Sequence, residues 1–399
     1  MSLRCAVGLL VLVTLACTAA PEGAEGEGEG EGEGEGEGEG EGGEGEGEGE
    51  GEGEGEGEGE GEGEGEGEGE GEDTALEHIV GRTVDDDAGP RFSWSLTTFS
   101  TRLSGGGLAV RLAGGSNVFF QVVVDGVGVR RFATTGGEQL YRLVEDLQGP
   151  TDVAIVRESE GNFFPETQFL GFVADDGAAL VPTPAPGSHR LQLIGDSITC
   201  GHGNLGNNDS GCGLDAQFQS AFASYGAVAA RDVDAVAHDV CVTGRGIFQN
   251  FGGGRSGTLP TFYDRALTQS AEPAWDPTLF DPEAIVVNLG TNDFSVAVDD
   301  DAFVETYVDF LTLLRTRHPD AAIFVAVWND TQWPESGTLL VREVIDTFAL
   351  QRGKDDVVFE VPFSVEDGEG RGCAFHPTAA THAREGAQLA EIFRTTLGW

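Results

Sequence analysis

Hydrophobic positions along the chain fall into three rhythms. From Met1 to Ala20, one basic residue, Arg4, precedes an apolar run from Ala6 to Leu15 and then small residues. That run is too short to cross a bilayer as a helix, and it predicts an export signal over 1–20. Between Ile79 and Val181, short stretches rich in Val, Phe and Leu alternate with Gly and Asp turns, as in Leu108 to Leu112, Asn117 to Val124, Val127 to Ala133 and Asp152 to Arg157. This spacing predicts an all-β sandwich over 76–182. Pro182 to Gly187 places three prolines in six residues and reads as a linker. Beyond it the period lengthens. Strand-like runs at Leu191 to Ile194, Ala235 to Val242, Ala284 to Leu289, Ala321 to Trp328 and Val357 to Val361 alternate with helical ones at Ala216 to Arg231, Asp301 to Arg317, Thr338 to Gln351 and Ala379 to Leu397. Such βα alternation predicts a parallel sheet covered on both faces, over 188–399. Chemistry in these sheets gathers outside the carboxyl ends of the strands, so the residues that follow each strand are the candidates.

Composition changes the picture most over 21–75. From Glu22 to Glu72 the chain is almost wholly alternating Glu and Gly, with no apolar surface to offset ordering entropy. The expectation is a self-repelling, solvated spacer, roughly 35 to 42 Å from end to end as a Gly-rich coil and longer under its own charge. Its 25 glutamates account for about half of the formal charge of −48, leaving about −23 elsewhere. With a single lysine, Lys354, and no basic run, nucleic acid and anionic membrane surfaces are disfavoured partners. Cys17, after Leu15 and Ala16, resembles the cysteine that bacterial lipoproteins acylate, although Thr14 stands where that pattern carries Leu, Val or Ile. Cleavage near Ala20 and free secretion is the alternative. Four cysteines remain in the body of the chain, Cys200, Cys212, Cys241 and Cys373, in keeping with an oxidising compartment. The expected pairs are Cys200 with Cys212, and Cys241 with Cys373, the latter flanking loops that should meet at one edge of the sheet. Neither spacing offers the CxxC pairs of a zinc site.

The first strand of the parallel sheet runs into Gly195, Asp196, Ser197, Ile198 and Thr199. A glycine before a serine on a tight strand-to-helix turn can present the hydroxyl at the sheet edge, although Gly-Asp-Ser occurs in many turns. The second strand ends in Val242-Thr243-Gly244-Arg245-Gly246, the third in Asn288-Leu289-Gly290-Thr291-Asn292-Asp293. The main-chain N–H groups of Ser197 and Gly244 and the side-chain amide of Asn292 together supply donors for the oxyanion of a tetrahedral intermediate. Taken singly, Gly244 is also explained by turn geometry and Asn292 by a helix cap. The last loop offers His376 as a base, whereas His382 within the closing helix reads as a surface or packing residue. His202 either borders the pocket or is structural.

These residues resemble the blocks of the SGNH (GDSL-type) hydrolases, and more narrowly carbohydrate esterase family 2. "IGDSITCGHGN" from Ile194, "SYGAVAARDV" from Ser224, "VVNLGTNDFS" from Val286, "GCAFHPTAATH" from Gly372 and "WDPTLFDP" ahead of the third strand carry the likeness. "GRT" at Gly81, "FSWS" at Phe92 and "YRLVEDLQG" at Tyr141 resemble the family's N-terminal jelly roll. The resemblance implies a flavodoxin-like hydrolase domain with a five-stranded parallel sheet behind a jelly-roll sandwich. It also implies a serine esterase that removes O-acetyl groups from polysaccharides such as xylan or glucomannan, with Ser197 and His376 catalytic; because these residues supply nucleophile, base and oxyanion donors by themselves, no metal or organic cofactor is expected. Phe375, beside the base, falls where the family tends to carry an aromatic that stacks on a sugar, and core packing is the other reading. The chain departs from the pattern where an acid stands three or two residues before the histidine: here these are Cys373 and Ala374. Either a main-chain carbonyl orients the imidazole in a Ser–His dyad, or Asp367 or Glu369 bends back to it. Two other functional classes stay open at this point: a non-catalytic carbohydrate-binding surface lipoprotein, and a lipase or thioesterase on the same fold.

Overall fold

The computed structural model describes residues 75–207, 212–329, 334–353, 358–366 and 368–399. The expected export signal with Cys17, the Glu-Gly stretch as far as Thr74, and Asp367 lie outside the described residues.

The first part is built from eleven strands in two antiparallel sheets. One sheet orders β1 (Glu77–Val80), β4 (Thr98–Leu103), β9 (Thr151–Arg157), β6 (Ser116–Val124) and β7 (Val127–Thr135), with β11 (Leu180–Val181) also paired to β4. The other orders β2 (Thr83–Val84), β3 (Arg91–Phe92), β10 (Thr167–Ala174), β5 (Gly106–Gly114) and β8 (Gln139–Leu147). Along β4 burial alternates residue by residue, so that Phe99, Thr101 and Leu103 face inward, as the period of two requires. Phe99 stacks on Phe169 at 4.2 Å and tilts against Phe92 at 4.8 Å, at the centre of a core that includes Leu108, Val110, Phe120 and Ile155. Each such side chain contributes about 1.5–3 kcal/mol on burial. β8, which carries most of the Tyr141 to Gly149 stretch, is exposed along most of its length.

The second part holds a five-stranded parallel sheet ordered β13 (Ala235–Cys241), β12 (His189–Gly195), β16 (Ala284–Asn288), β17 (Ala322–Trp328) and β18 (Val358–Phe363). Every residue of β16 is buried, as expected of a strand covered on both faces. Around the sheet lie α1 (Tyr225–Asp232), α2 (Pro260–Tyr263), α3 (Asp300–Arg317), α4 (Glu335–Arg352) and α5 (Ala379–Leu397), with a small hairpin of β14 (Arg265–Leu267) and β15 (Ser270–Ala274). Capping sets α3: Asp299 accepts the Ala302 N–H, Asp300 and Asp301 occupy the first turn, and Arg315 and Arg317 the last. The helix expected over Ala216 to Arg231 is broken into a 3₁₀ turn, Ala216–Phe218, and α1. The serines interrupt it, because Ser220 Oγ accepts the Ala223 N–H while Ser224 caps α1 by accepting the Ala227 N–H.

The two parts share buried contacts. Trp94, Leu96, Val123 and Val156 of the sandwich join the core of the parallel sheet. Arg82 is buried among Trp94, Tyr263 and Trp275 at 5.2–5.7 Å, donating to the Tyr263 and Arg265 carbonyls. Its charge is compensated by main-chain oxygens and aromatic faces.

Candidate active site

Parallel register puts the ends of three neighbouring strands level: Gly195 on β12 pairs with Cys241 on β13 and with Asn288 on β16. The Ser197 turn, the Thr243-Gly244 strap and the Asn292 turn therefore leave the sheet from one rim. Gly195 is obligatory there, since a Cβ would sit 2.0 Å from Thr199 Oγ1 and 2.9 Å from the Asn288 carbonyl oxygen. Asp196 is wholly buried, and its Oδ1 accepts the Ile198 N–H at 3.0 Å, closing the turn on which Ser197 stands.

His376 arrives from the other side, on the loop before α5, with Nε2 2.7 Å from Ser197 Oγ. Its Nδ1 is 2.9 Å from the Cys373 carbonyl oxygen. A carbonyl only accepts, so Nδ1 carries the proton and Nε2 is left to accept from the serine hydroxyl. Desolvation lowers the imidazole pKa below its ordinary 6.5, opposed by the Cys373 and Ala374 carbonyls, which keeps the ring in its basic form at neutral pH. His202 packs edge-on against it at 4.9 Å, with burial, then the neighbouring His376, bringing its own pKa down to about 4.

No described carboxylate orients the base. Glu369, one of the two acids expected to do so, is engaged elsewhere: it takes a bidentate pair from Arg384 at 2.9 and 3.0 Å, the Thr381 hydroxyl at 3.2 Å and the Glu366 N–H at 3.1 Å. Arg384 also donates to the Ser364 carbonyl, so the pair braces α5 to the preceding loop. The backbone supplies the substitute. Ala374 and Phe375 both take left-handed φ, 50° and 65°, folding the loop so that Cys373 C=O meets its own downstream histidine. Such conformations cost of order 1 kcal/mol each in residues with a Cβ, and here they accompany an orienting contact. Phe375 is 55% exposed, which sets aside the core-packing reading.

The disulfides differ from the expected pairs. Cys200 bonds Cys241, and Cys212 bonds Cys373, each with Cα atoms 5.5 Å apart. The reason is the sheet: Cys200 follows β12 and Cys241 ends β13, its immediate neighbour, so the first bridge ties the serine turn to the adjacent strand. The second ties the loop after that turn to the residue whose carbonyl holds His376. Cys373 N–H also donates to the Gly203 carbonyl at 2.9 Å.

Among the described residues no acceptor takes the main-chain N–H of Ser197 or Gly244. Gly244 has φ 80°. Asn292 is buried beside them, and its side chain forms no helix cap; Nδ2 donates to Asp196 Oδ2 and to the Arg245 carbonyl, both at 2.9 Å. Behind them Asp293 accepts the N–H groups of Ile247, Phe248 and Gln249, and burial moves its pKa up to about 6. Asp196 is likewise raised to about 7 by burial, opposed by the Ile198 N–H and reinforced by Asp293. His382, inside α5, is fully buried and its Nδ1 accepts the Tyr225 N–H at 3.2 Å, a packing role. Among the described residues no group of three or more His, Cys, Asp or Glu is arranged to hold a metal ion.

A parallel sheet with a serine–histidine pair at its carboxyl rim is the arrangement of a serine acylhydrolase. Comparison agrees: residues 193–384 match the GDSL-like Lipase/Acylhydrolase family, and residues 79–184 match Carbohydrate esterase 2 N-terminal. The structure is similar to that of a family two carbohydrate esterase from Clostridium thermocellum in complex with cellohexaose, at TM-score 0.75 and 30% identity, covering 81% of this chain and 99% of that one. Cellulase/esterase CelE of Acetivibrio thermocellus is 31% identical over 79% of this chain, which spans 38% of that protein's length. Acetylxylan esterase / glucomannan deacetylase of Cellvibrio japonicus is 27% identical over 80% of this chain and 89% of its own. The chain belongs to carbohydrate esterase family 2, and it is a carboxylic ester hydrolase.

Proposed function

We propose that this esterase removes O-acetyl groups from a plant-type polysaccharide, with acetylated xylan and glucomannan as the substrates to test, through a Ser197–His376 dyad. The single observation that carries the reading is the 2.7 Å contact between His376 Nε2 and Ser197 Oγ at the strand ends. His376 takes the hydroxyl proton as Ser197 attacks the acetyl carbonyl, and the Cys373 carbonyl stabilises the imidazolium that forms. The Ser197 and Gly244 N–H groups receive the oxyanion, and Asn292 joins them by sharing the hydrogen it now gives to the Arg245 carbonyl. Collapse expels the sugar hydroxyl, protonated by His376. Water, activated by the same base, then releases acetate from the acyl-enzyme. Exposed Phe375, beside the base, offers a ring face to the sugar.

The export signal, the acylated Cys17 and the Glu-Gly spacer belong to this proposal as a means of holding the 76–182 and 188–399 domains off a cell surface. The names of the relatives support a carbohydrate substrate. Ser197→Ala should abolish hydrolysis of 4-nitrophenyl acetate and acetate release from acetylated xylan and glucomannan. Wild-type turnover by that variant would refute the mechanism.

A further inference from the structure

Glu160 lies in the loop after β9, in the sandwich, yet its carboxyl reaches the catalytic rim. It is 1% exposed, and both oxygens are spoken for: Oε1 accepts the Thr243 N–H at 3.1 Å, and Oε2 accepts the Thr243 hydroxyl and the Gln219 side-chain amide at 3.5 Å. The main chain of Glu160 is itself fixed, its N–H donating to Gln219 Oε1 at 3.3 Å and its carbonyl accepting the Phe164 N–H at 3.2 Å. Next along, Gly161 has no room for a Cβ, which would stand 2.3 Å from the Ser93 carbonyl oxygen.

Thr243 immediately precedes Gly244. The direction of the Gly244 N–H depends on the peptide plane between them, hence on Thr243 ψ and Gly244 φ, and a glycine restrains φ least of all residues. Clamping Thr243 at both its N–H and its hydroxyl anchors the residue from which that plane turns, and the Arg245 N–H closes the turn on the Val242 carbonyl at 3.2 Å. Burying a carboxyl to do this is costly. Desolvation brings the Glu160 pKa up to about 7 despite the Thr243 bonds, as expected of a polar group kept for geometry at the expense of stability.

We propose that Glu160 is a positioning residue of the esterase, supplied by the sandwich, which holds the Thr243-Gly244 strap so that the Gly244 N–H faces the oxyanion. This rests on the serine-esterase reading above. It makes turnover dependent on the N-terminal domain without that domain touching the reacting atoms.

The test is steady-state hydrolysis of 4-nitrophenyl acetate by the wild type, Ser197→Ala, Glu160→Ala, Glu160→Gln, Thr243→Val and the double variant Glu160→Ala/Thr243→Val, each checked for folding by circular dichroism. Glu160→Ala should lower kcat about tenfold to a hundredfold, somewhat less than loss of a whole oxyanion donor, with KM within about threefold. Glu160→Gln should return to within about fivefold of wild type, since its amide can accept the Thr243 N–H and donate to the hydroxyl. Thr243→Val, keeping only the main-chain bond, should lose about threefold to tenfold in kcat, and the double variant should fall no further than Glu160→Ala by more than about twofold. A merely structural role would lower the melting temperature and leave kcat of the folded protein intact. Wild-type kcat in folded Glu160→Ala, or a loss confined to KM, overturns the proposal. Should Glu160→Ala not fold, wild-type kcat in Thr243→Val overturns it instead. Unchanged turnover in Ser197→Ala overturns the underlying mechanism and is a separate outcome.

Discussion

Glu369→Gln asks whether any described carboxylate serves the imidazole of the proposed Ser197–His376 dyad. In the structure Glu369 is saturated by Arg384, Thr381 and the Glu366 N–H, and the Arg384 hydrogen bonds, the largest cause, carry its pKa from 4.5 down to about 2. That fall corresponds to roughly 3 kcal/mol. Both side chains remain partly open to water, at 21% and 28% exposure, so screening brings the expected loss to about 1–2 kcal/mol at pH 7. The sign follows from the depressed pKa: the contribution is complete above pH 4.5 and is lost as pH falls towards about 2. Urea unfolding at neutral pH should show the variant less stable by that amount, and the gap should close as the pH is lowered. The rate should not follow, because Nδ1 of His376 donates to the Cys373 carbonyl. Esterase kcat should stay within about twofold of wild type, and Asp367→Asn in the same background extends the test to the second acid. A folded Glu369→Gln variant that loses about tenfold or more in kcat would refute the dyad, since removing the acid of a true triad costs far more than twofold.

Two further predictions follow from the same geometry. Because burial lowers the His376 pKa, kcat/KM should rise with pH through an apparent pKa below 6.5 and be flat above it; a rate profile whose acid limb lies above that value contradicts the assignment of the base. Gly195→Ala forces a Cβ to within 2.0 Å of Thr199 Oγ1 and 2.9 Å of a main-chain oxygen, so the turn must move. Unfolding should show about 1–3 kcal/mol of destabilisation and labelling by a fluorophosphonate about a tenfold slower rate, whereas wild-type values in both would mean that the turn tolerates the side chain.

The placement of the candidate residues at strand ends is legible in the chain. Ser197, Asn292 and His376 each follow a periodic apolar run or precede the closing helix, and the parallel sheet brings such positions to one rim. Cysteine pairing was not legible, because linear order suggests Cys200 with its neighbour Cys212, while strand adjacency, fixed only by tertiary packing, joins Cys200 to Cys241. Glu160 left no signal either. It stands 83 residues from Thr243 in a loop of another domain, and nothing in its local sequence marks a carboxyl destined for burial. The fate of Glu369 was hidden for the opposite reason: proximity to the histidine in sequence made it a candidate, and Arg384, one turn into α5, captured it. From Ala216 to Arg231 the alanines and apolar residues set a helical period, which Ser220 and Ser224 interrupt by bonding to the backbone.

Ala374 and Phe375, folded back on themselves, have one more consequence. The atom that steers the base belongs to the polypeptide and not to any side chain, so no single amino-acid exchange deletes it. An alanine scan would pass over Cys373 as a cystine residue and count the machinery one member short. Substitutions in this loop reach that carbonyl by bending the main chain.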